Sequence, residues 1–452
     1  MEISPKNTFV VSVFFAKCCK FAGKSQYKER EMTIVDELYR IFLQHPVVTT
    51  DSRNCPEGSM FFALKGERFD GNQYAAECLE KGCCCAVVDD PKVVVECDGR
   101  YVLVDNVLRT LQLLAQHHRR FVGTKILGIT GTNGKTTTKE LCAAVLQKKY
   151  NVLYTQGNLN NSIGVPLTLL KLTDEHDVAV VEMGASHPGD IKELVELVEP
   201  QYGLITNVGR AHLLGFGSFE GVCRTKGELY DFLREHNGTA FVNQDNEFLP
   251  AMAHDLKRID YIGAEVVECS GLLKVKLLER EVQTHLVGAY NTDNLRAAAT
   301  VGLEFGVDAD DICQALEDYV PSNNRSQYMK TADNELIVDA YNANPTSMAA
   351  ALDNFALVKS AHKMCIIGMM GELGQDSHME HEKLLNRLAS MPIEQVWLVG
   401  SEFQGFTLPK HFRFFTDVEA VKTAIAEQKP QGCTILVKGS NSTKLFQLPE
   451  LL

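Results

Sequence analysis

Short apolar runs alternate with amphipathic stretches along most of the chain, and this pattern predicts strands separated by helices. Between residues 33 and about 119, the apolar runs at 60–64 and 85–88 have the length of strands, and residues 74–81 follow a helical pattern. The first block therefore predicts a small α/β domain.

A second block begins with an apolar run at 125–130 and passes through a glycine-rich turn into a helical stretch at 136–148. The alternation then continues to about residue 320. Strands that alternate with helices form parallel sheets, because each helix carries the chain back to the end of the sheet at which the previous strand began. We therefore predict a mostly parallel sheet in this central block.

The third block alternates in the same way and predicts a Rossmann-like, doubly wound domain. Residues 321–324 read Pro-Ser-Asn-Asn, a turn-forming composition that is typical of a linker. The predicted strands lie at 336–339, 364–367, 396–399 and 434–437. With an extension at 1–31 to which no role is assigned, the predicted domains are 32–119, 120–320 and 321–452.

The size of the chain agrees with three domains. At roughly 100–200 residues per domain, 452 residues predict two to four. A hydrophobic fraction of 45% and a charged fraction of 23% are typical of a globular protein. The net charge of -13 argues against broad binding to nucleic acids or anionic membranes but permits local basic pockets for phosphates.

The apolar run at residues 9–16 is far shorter than the ~20 residues of a membrane-spanning helix, and little charge precedes it. We therefore expect a cytoplasmic protein with no stable membrane insertion and no nucleic-acid partner, acting as a monomer. The fourteen cysteines are spread through a long chain without a convincing secretory signal, so reduced thiols are expected.

Two clusters could suggest a metal, and neither has suitable spacing. Residues Cys83, Cys84 and Cys85 are adjacent, so a buried strand is favoured over zinc. Two histidines, His378 and His381, do not form a His-Glu-x-x-His motif, and we predict that they lie on a helix surface.

The strongest chemical signal is the sequence Thr-Gly-Thr-Asn-Gly-Lys-Thr-Thr-Thr at 130–138, between a predicted strand and a predicted helix. In such a loop, glycines turn backbone N–H groups towards phosphate oxygens, the lysine neutralises charge, and the first threonine after it ligates Mg²⁺. The loop is a variant, because Ile129 stands at the first glycine of the strict phosphate-loop pattern. The central domain is thus predicted to be P-loop ATPase-like.

ATP is favoured over GTP, because no Asn-Lys-x-Asp pattern for reading guanine is visible. The predicted ATP-binding residues of the loop are Gly131, Thr132, Asn133, Gly134, Lys135, Thr136 and Thr137. Glu182 follows the apolar strand predicted at 178–181, where open parallel sheets present functional groups. Glu182 is the predicted carboxylate ligand of Mg²⁺, and Thr136 is the predicted hydroxyl ligand.

This loop and a series of motifs on both sides of it resemble the Mur ligase family of peptidoglycan precursor synthesis. The resemblance covers about residues 33–452. Its motifs occur in order as Asp51-Ser52-Arg53, 131–137, Asn160-Asn161, 182–185, 207–212, Lys226, 291–294 and Arg325. The segment Asp-Ala-Tyr-Asn-Ala-Asn-Pro-Thr-Ser-Met at 339–348 is similar to the members that add D-alanyl-D-alanine. The resemblance implies UDP-N-acetylmuramoyl-tripeptide as the other substrate.

The resemblance also implies a metal site and a chemistry. It implies that Lys226 carries a carbamate and ligates Mg²⁺, with His212 close to the metal. ATP would phosphorylate the carboxylate of the tripeptide to an acyl phosphate, which the amine then displaces. The residues implied in catalysis are Lys135, Lys226, His212 and Asp339.

Further ligand contacts are implied for polar residues in all three domains. Asn294 is implied in adenine recognition and Arg325 in clamping the nucleotide phosphates, whereas Tyr290 stands where the family more often has histidine. The implied contacts to the sugar nucleotide are Ser52, Arg53, Asn160 and Asn161, and those to D-alanyl-D-alanine are Asp339, Tyr341, Asn342 and Asn344.

Each assignment has a structural alternative. Asn294 could cap a helix, Arg325 could be a surface residue, and Lys226 could be solvated. The segments 368–374 and 438–440 resemble loops of the family but are also explained as plain turns. For the whole protein, the alternatives are another Mur-type or folylpolyglutamate-like ligase, or a nucleotide-controlled binding protein that forms no covalent product.

Overall fold

A computed structural model of the chain describes residues 24–210, 213–322 and 325–452. It divides into two compact units. Of the described residues, the first unit contains 24–124 and 162–174, and the second contains 125–161, 175–210, 213–322 and 325–452. Within the described residues, no helix combines the length and the apolar composition needed to cross a membrane.

The helices are, in chain order, α1 Lys24–Gln44, α2 Ala75–Glu80, α3 Val107–Val122, α4 Lys135–Leu146, α5 Gly164–Leu169, α6 Asp190–Val198, α7 Leu213–Phe216, α8 Phe219–Glu235, α9 Leu249–Met252, α10 Thr292–Glu304, α11 Ala309–Asp318, α12 Pro345–Leu357, α13 Ser377–Ser390 and α14 Val418–Glu427.

The strands are β1 Val48–Thr49, β2 Met60–Phe62, β3 Lys65–Gly66, β4 Phe69–Asp70, β5 Cys85–Val88, β6 Tyr101–Leu103, β7 Lys125–Thr130, β8 Val152–Tyr154, β9 Val178–Glu182, β10 Tyr202–Ile205, β11 Thr239–Val242, β12 Lys257–Asp260, β13 Ala264–Glu268, β14 Leu272–Leu277, β15 Arg280–Val287, β16 Gln327–Lys330, β17 Glu335–Asp339, β18 Lys363–Gly368, β19 Gln395–Val399, β20 Phe412–Phe415 and β21 Thr434–Lys438.

The first unit is built on a parallel sheet in the order β1-β2-β5-β6. Cys85 begins β5 and is 3% exposed, as predicted for a buried strand, whereas Cys83, also 3% exposed, and the half-buried Cys84 precede the strand. The buried His118 of α3 links two distant segments, because one ring nitrogen lies 3.2 Å from the Tyr39 hydroxyl and the other 2.8 Å from the Leu172 carbonyl oxygen. This contact helps to explain why residues 162–174 belong to the first unit.

The second unit contains a parallel six-stranded sheet in the order β12-β11-β10-β7-β9-β8. Strand β7 has the bounds predicted from its apolar run, and the predicted helix at 136–148 is α4. The predicted strand at 178–181 extends by one residue to include Glu182. The mostly parallel central sheet is therefore confirmed.

The prediction that strands and helices alternate throughout the central block is wrong for residues 264–287. These residues form three antiparallel strands, β13, β14 and β15. Leu278 and Glu279 both have positive φ, of 49° and 60°, which matches the tight two-residue turn of a hairpin. Alternating burial along β15 gives a strand period of two.

These three strands belong to a nine-stranded sheet, in the order β13-β14-β15-β16-β17-β21-β18-β19-β20. Its last five strands are parallel and confirm the Rossmann-like domain predicted at the C-terminal end. One register pair, Leu286 with Gln327, joins β15 to β16, whereas β16 and β17 share four pairs.

The prediction that both histidines of α13 lie on its surface is wrong for His381, which is fully buried. Its Nε2 accepts a hydrogen bond from the Met370 backbone N–H at 3.0 Å, so its Nδ1 is the atom that donates to the Ser377 carbonyl at 2.7 Å. Helical periodicity does not reveal this partner, because Met370 lies on a different element. His378 is exposed and stacks on Phe406.

Candidate active site

The phosphate loop connects the carboxyl end of β7 to α4. Gly131 has a φ of 141°, and a Cβ atom there would lie 2.0 Å from Thr206 Oγ1. Gly134 has a φ of 80° and comes directly before Lys135, the first residue of the helix. Both positions require glycine, and the loop ends with backbone N–H groups at a helix N-terminus, the geometry that binds phosphate.

Two residues that follow β10 hold this loop in place. Thr206 Oγ1 donates to the Asn133 carbonyl oxygen at 2.6 Å, and Asn207 Nδ2 donates to the same oxygen at 3.1 Å. The Asn133 backbone N–H donates to Asn207 Oδ1 at 3.0 Å. The motif at 207–212 pointed to this segment, but Thr206 was not predicted as part of the site.

Lys135 folds back onto the loop. Its Nζ donates to the carbonyl oxygens of Gly131 at 2.9 Å and Thr132 at 3.0 Å. Burial lowers the pKa of Lys135 to about 8, the positive charge of Arg325 acts in the same direction, and Glu182 opposes both. Lys135, Arg325 and Glu182 therefore lie within electrostatic range of one another.

Glu182, at the end of β9, is 1% exposed. Its Oε1 accepts hydrogen bonds from Asn160 Nδ2 at 2.7 Å and from Thr136 Oγ1 at 3.2 Å. Among the described residues, Oε2 has no hydrogen-bond partner. A buried carboxylate oxygen without a donor, beside a threonine hydroxyl, is a set of oxygen ligands that suits Mg²⁺.

Lys139 was not predicted as part of the site, although it lies close to Glu182. Its side chain is fully buried, and Nζ lies 3.9 Å from Glu182 Oε2 and 3.6 Å from Glu140 Oε1. Burial lowers the pKa of Lys139, while Glu182 and Glu140 oppose the shift. The sequence offers one signal for it, because Lys139 lies one helical turn after Lys135.

Lys226 lies inside α8, about two turns after its first residue Phe219. The residue is 2% exposed, and its Nζ lies 5.4 Å from the centre of the Phe216 ring. Burial lowers the pKa of Lys226 well below its usual value, and the nearby charge of Lys135 lowers it further. Lys226 is therefore not solvated. His212 lies outside the described residues.

Asn294 lies behind the phosphate loop and is 7% exposed. Its Oδ1 accepts from Thr138 Oγ1 at 2.9 Å, and its Nδ2 donates to Asn291 Oδ1 at 2.8 Å. It does not cap α10, which begins at Thr292. The neighbouring Tyr290 forms a hydrogen bond of 2.9 Å with Ser326 Oγ.

The loop after β17 carries the residues implied in binding D-alanyl-D-alanine. Asp339 Oδ2 accepts a hydrogen bond from Lys438 Nζ at 2.6 Å, and the same ammonium group donates to the Asn342 carbonyl oxygen at 3.2 Å. The Arg325 guanidinium lies 3.8 Å from the centre of the Tyr341 ring, so Arg325 is partly buried against this loop. Lys438 was treated as part of a turn, yet it is fully buried.

Asn344 connects this loop to the phosphate loop, because its Nδ2 donates to Asn133 Oδ1 at 2.8 Å. The structure thus brings together Lys135, Thr136, Glu182, Asn160, Lys226 and Arg325 around the phosphate loop, with Asn344 at its edge.

Ser52 and Arg53 belong to the first compact unit. The Arg53 side chain is 88% exposed and pairs with Asp51 at 2.8 Å, and this hydrogen bond lowers the pKa of Asp51 to about 2. Lys81 Nζ donates to the Ser52 carbonyl oxygen at 2.9 Å. Asn161 is exposed, next to the buried contact of Asn160 with Glu182.

Family models match the chain in three consecutive segments. Residues 46–119 match the Mur ligase family, catalytic domain; residues 129–302 match the Mur ligase middle domain; and residues 324–441 match the Mur ligase, glutamate ligase domain. The three segments follow the order of the three predicted blocks.

Individual relatives agree with the family models. The UDP-N-acetylmuramoyl-tripeptide–D-alanyl-D-alanine ligase of Escherichia coli is 35% identical to this chain, over 90% of this chain and 93% of the relative. A crystal structure of MurF from Acinetobacter baumannii has a TM-score of 0.78 at 32% identity, covering 89% of this chain and 92% of that one. A MurF ligase from Thermotoga maritima in complex with ADP has a TM-score of 0.77 at 26% identity, covering 90% and 96%.

Because these matches run from the first block to the last, the chain belongs to the Mur ligase family and is an ATP-dependent ligase.

Proposed function

We propose that this Mur ligase joins D-alanyl-D-alanine to UDP-N-acetylmuramoyl-tripeptide with ATP, giving UDP-N-acetylmuramoyl-pentapeptide, ADP and phosphate. The observation that carries the proposal is the full-length similarity to D-alanyl-D-alanine-adding ligases, combined with a phosphate loop that contacts the 339–344 loop. We place the reaction in the cytoplasm, in peptidoglycan precursor synthesis, and the enzyme acts as a monomer.

The reaction has two steps. A carboxylate oxygen of the tripeptide attacks the γ-phosphorus of ATP, ADP leaves, and an acyl phosphate forms. The amine of D-alanyl-D-alanine then attacks the acyl carbon, loses a proton, and displaces phosphate. Phosphoryl transfer depends mainly on positioning and charge neutralisation, which Lys135 and the N-terminus of α4 supply in this chain.

Thr136 and Glu182 would hold Mg²⁺, because their oxygens lie together and Glu182 Oε2 has no donor among the described residues. The ion would neutralise charge on the phosphates. The buried position of Lys226 favours its neutral amine, and a neutral amine adds CO₂ with loss of one proton to form a carbamate. We therefore propose a carbamate at Lys226 as a further metal ligand, together with His212.

Nucleotide contacts outside the loop are assigned to Arg325 and Asn294. The Arg325 guanidinium stacks on Tyr341 and exerts its charge on Lys135, so it is positioned to clamp the nucleotide phosphates. Asn294 supports the phosphate loop from behind by accepting a hydrogen bond from Thr138. We also propose that Asn294 takes part in adenine recognition.

The substrate contacts follow the proposed domains. We propose that the domain 32–119 binds the UDP-muramyl substrate through Ser52 and Arg53, and that 120–320 binds ATP and contacts the substrate through Asn160 and Asn161. The domain 321–452 would bind D-alanyl-D-alanine through Asp339, Tyr341 and Asn342, with Asp339 orienting the amine. The extension 1–31 is left outside these domains.

Product analysis tests this function. The protein is incubated with ATP, Mg²⁺, D-alanyl-D-alanine and one of two UDP-N-acetylmuramoyl-tripeptides, which end in diaminopimelate or lysine, and the product is identified by mass. Pentapeptide with either tripeptide supports the proposal and identifies the preferred third residue. ADP release without pentapeptide would overturn it and favour a ligase for another acceptor or a nucleotide-controlled binding protein.

A further inference from the structure

The side-chain amide of Asn344 has both of its polar ends engaged within the protein. Its Oδ1 accepts from the Ser347 backbone N–H at 2.8 Å, and the Asn344 backbone N–H lies 3.1 Å from Ser347 Oγ, which completes a capping box at the start of α12. Its Nδ2 donates to Asn133 Oδ1 at 2.8 Å. The residue is 3% exposed, so little of it faces solvent.

The partner, Asn133, is fixed as firmly as Asn344. Three hydrogen bonds, from Thr206 Oγ1, from Asn207 Nδ2 and to Asn207 Oδ1, hold its backbone within the phosphate loop. Its side-chain oxygen is the group that reaches the first turn of α12. A second contact lies alongside, because Gly209 sits between Thr346 of α12 and Thr132 of the phosphate loop. A Cβ atom added to Gly209 would lie at about van der Waals distance from both threonine side chains.

This arrangement joins two parts of the active site by one hydrogen bond. Asn133 precedes Gly134 and Lys135, which are proposed to bind the nucleotide phosphates, and Asn344 ends the loop that begins at Asp339. A shift of the phosphate loop of about 1 Å would stretch the 2.8 Å bond beyond hydrogen-bond distance. The position of the phosphate loop and that of the 339–344 loop are therefore not independent.

We propose that Asn344 is a positioning residue that couples nucleotide binding to the loop that receives the amine substrate, through its hydrogen bond to Asn133. The proposal rests on the function given above. The resemblance implied that Asn344 contacts D-alanyl-D-alanine. We assign it to aligning the loop, because its side-chain amide already bonds both Ser347 and Asn133. Coupling free energy is reciprocal. D-alanyl-D-alanine should therefore raise the affinity for the nucleotide by the same factor as the nucleotide raises the affinity for D-alanyl-D-alanine.

The informative variant is Asn344→Ser. Serine is a good N-cap and keeps an acceptor for the Ser347 N–H, but it is too short to reach Asn133. Asn133→Ala removes the same bond from the opposite side. Asn106→Ser is the matched control, because Asn106 caps α3 through a 2.8 Å hydrogen bond from the Arg109 N–H and lies in the other compact unit.

Calorimetry measures the Kd of D-alanyl-D-alanine with and without Mg-ADP, and the Kd of Mg-ADP with and without the dipeptide, on the full-length chain. For each ligand, the coupling ratio is its Kd without the other ligand divided by its Kd with the other ligand. We expect this ratio to be on the order of tenfold in the wild type and in Asn106→Ser. The ratio should fall below about twofold in Asn344→Ser, while the Kd of Mg-ADP alone stays within about threefold. Asn133→Ala should give the same low ratio, and the double variant should lower it no further.

Two outcomes would overturn the proposal: a wild-type ratio near one, or a ratio in Asn344→Ser that equals that of the wild type. Loss of folding in Asn344→Ser is checked by circular dichroism, and Asn133→Ala then supplies the same test from the phosphate loop. Failure of the underlying function is recognised separately, because the wild type would then form no pentapeptide from either tripeptide.

Discussion

Lys438 lies beside Asp339 at the carboxyl ends of two neighbouring parallel strands, with 2.6 Å between Nζ and Oδ2. The lysine side chain is 1% exposed and the aspartate side chain 17%. The ammonium group also holds the Asn342 carbonyl oxygen, so a single cation fixes both ends of the turn that starts the proposed dipeptide pocket.

We expect Lys438→Met to destabilise the protein by about 3–5 kcal/mol, because it leaves the mostly buried carboxylate of Asp339 without its cation. The KM for D-alanyl-D-alanine should rise as well. Urea unfolding and steady-state kinetics measure the two effects. The double variant Lys438→Met/Asp339→Leu should recover most of the stability and none of the activity; recovery of neither would contradict the ion-pair explanation.

Lys135→Ala should lower kcat by at least ~10²-fold, because it removes the cation that we assign to neutralising charge on the transferred phosphate. Thermal unfolding should change little, since the hydrogen bonds that Lys135 Nζ makes within the described part of the chain go to two backbone carbonyl oxygens of its own loop. The exposed Lys148→Ala serves as the comparison. Near-wild-type turnover in a folded Lys135→Ala protein would remove the phosphate-loop assignment.

For Lys226, we expect a carbamate signal when the protein is incubated with ¹³C-bicarbonate and Mg-ADP and observed by NMR. The lowered pKa of Lys226 supplies the neutral amine that reacts with CO₂. Lys226→Ala should lose both the signal and most of the turnover, and a short-chain carboxylic acid should restore part of the turnover. A wild-type spectrum identical to that of Lys226→Ala would exclude the carbamate.

His381 predicts a pH dependence of stability. Burial lowers its pKa below the value that it has in the unfolded chain. The unfolded state therefore binds the proton more readily, and the free energy of unfolding should fall as the pH drops below about 6.5. Protonation would also destroy the acceptor for the Met370 N–H.

Chemical denaturation of wild type and His381→Gln between pH 5 and 8 measures this effect. The variant should show a weaker decline at low pH, whereas His378→Gln, which changes an exposed histidine of the same helix, should follow the wild type. Parallel curves for wild type and His381→Gln would rule out this role.

The sequence predicted the parts of the site that depend on local pattern. Residues 125–138 read as strand, glycine turn and helix, and Glu182 could be placed at a strand end because a buried apolar run precedes it. These features arise within one short segment, so spacing alone reveals them.

Features that depend on distant partners were not predicted from spacing. Lys139 and Lys438 look like ordinary charged residues in sequence, and only packing shows that each is fully buried beside a carboxylate. The three antiparallel strands at 264–287 were missed because strand pairing is a relation between segments, and the burial of His381 was missed for the same reason.

The single register pair between β15 and β16 has a mechanical consequence. A sheet resists shear roughly in proportion to its cross-strand hydrogen bonds, and this junction has one pair where the next junction has four. The Val287 N–H adds one bond to the Ser326 carbonyl at 3.2 Å. Among the described residues, twisting the sheet at 286–287 and 326–327 would therefore disrupt fewer cross-strand hydrogen bonds than twisting it between β16 and β17, so we expect this junction to yield more easily.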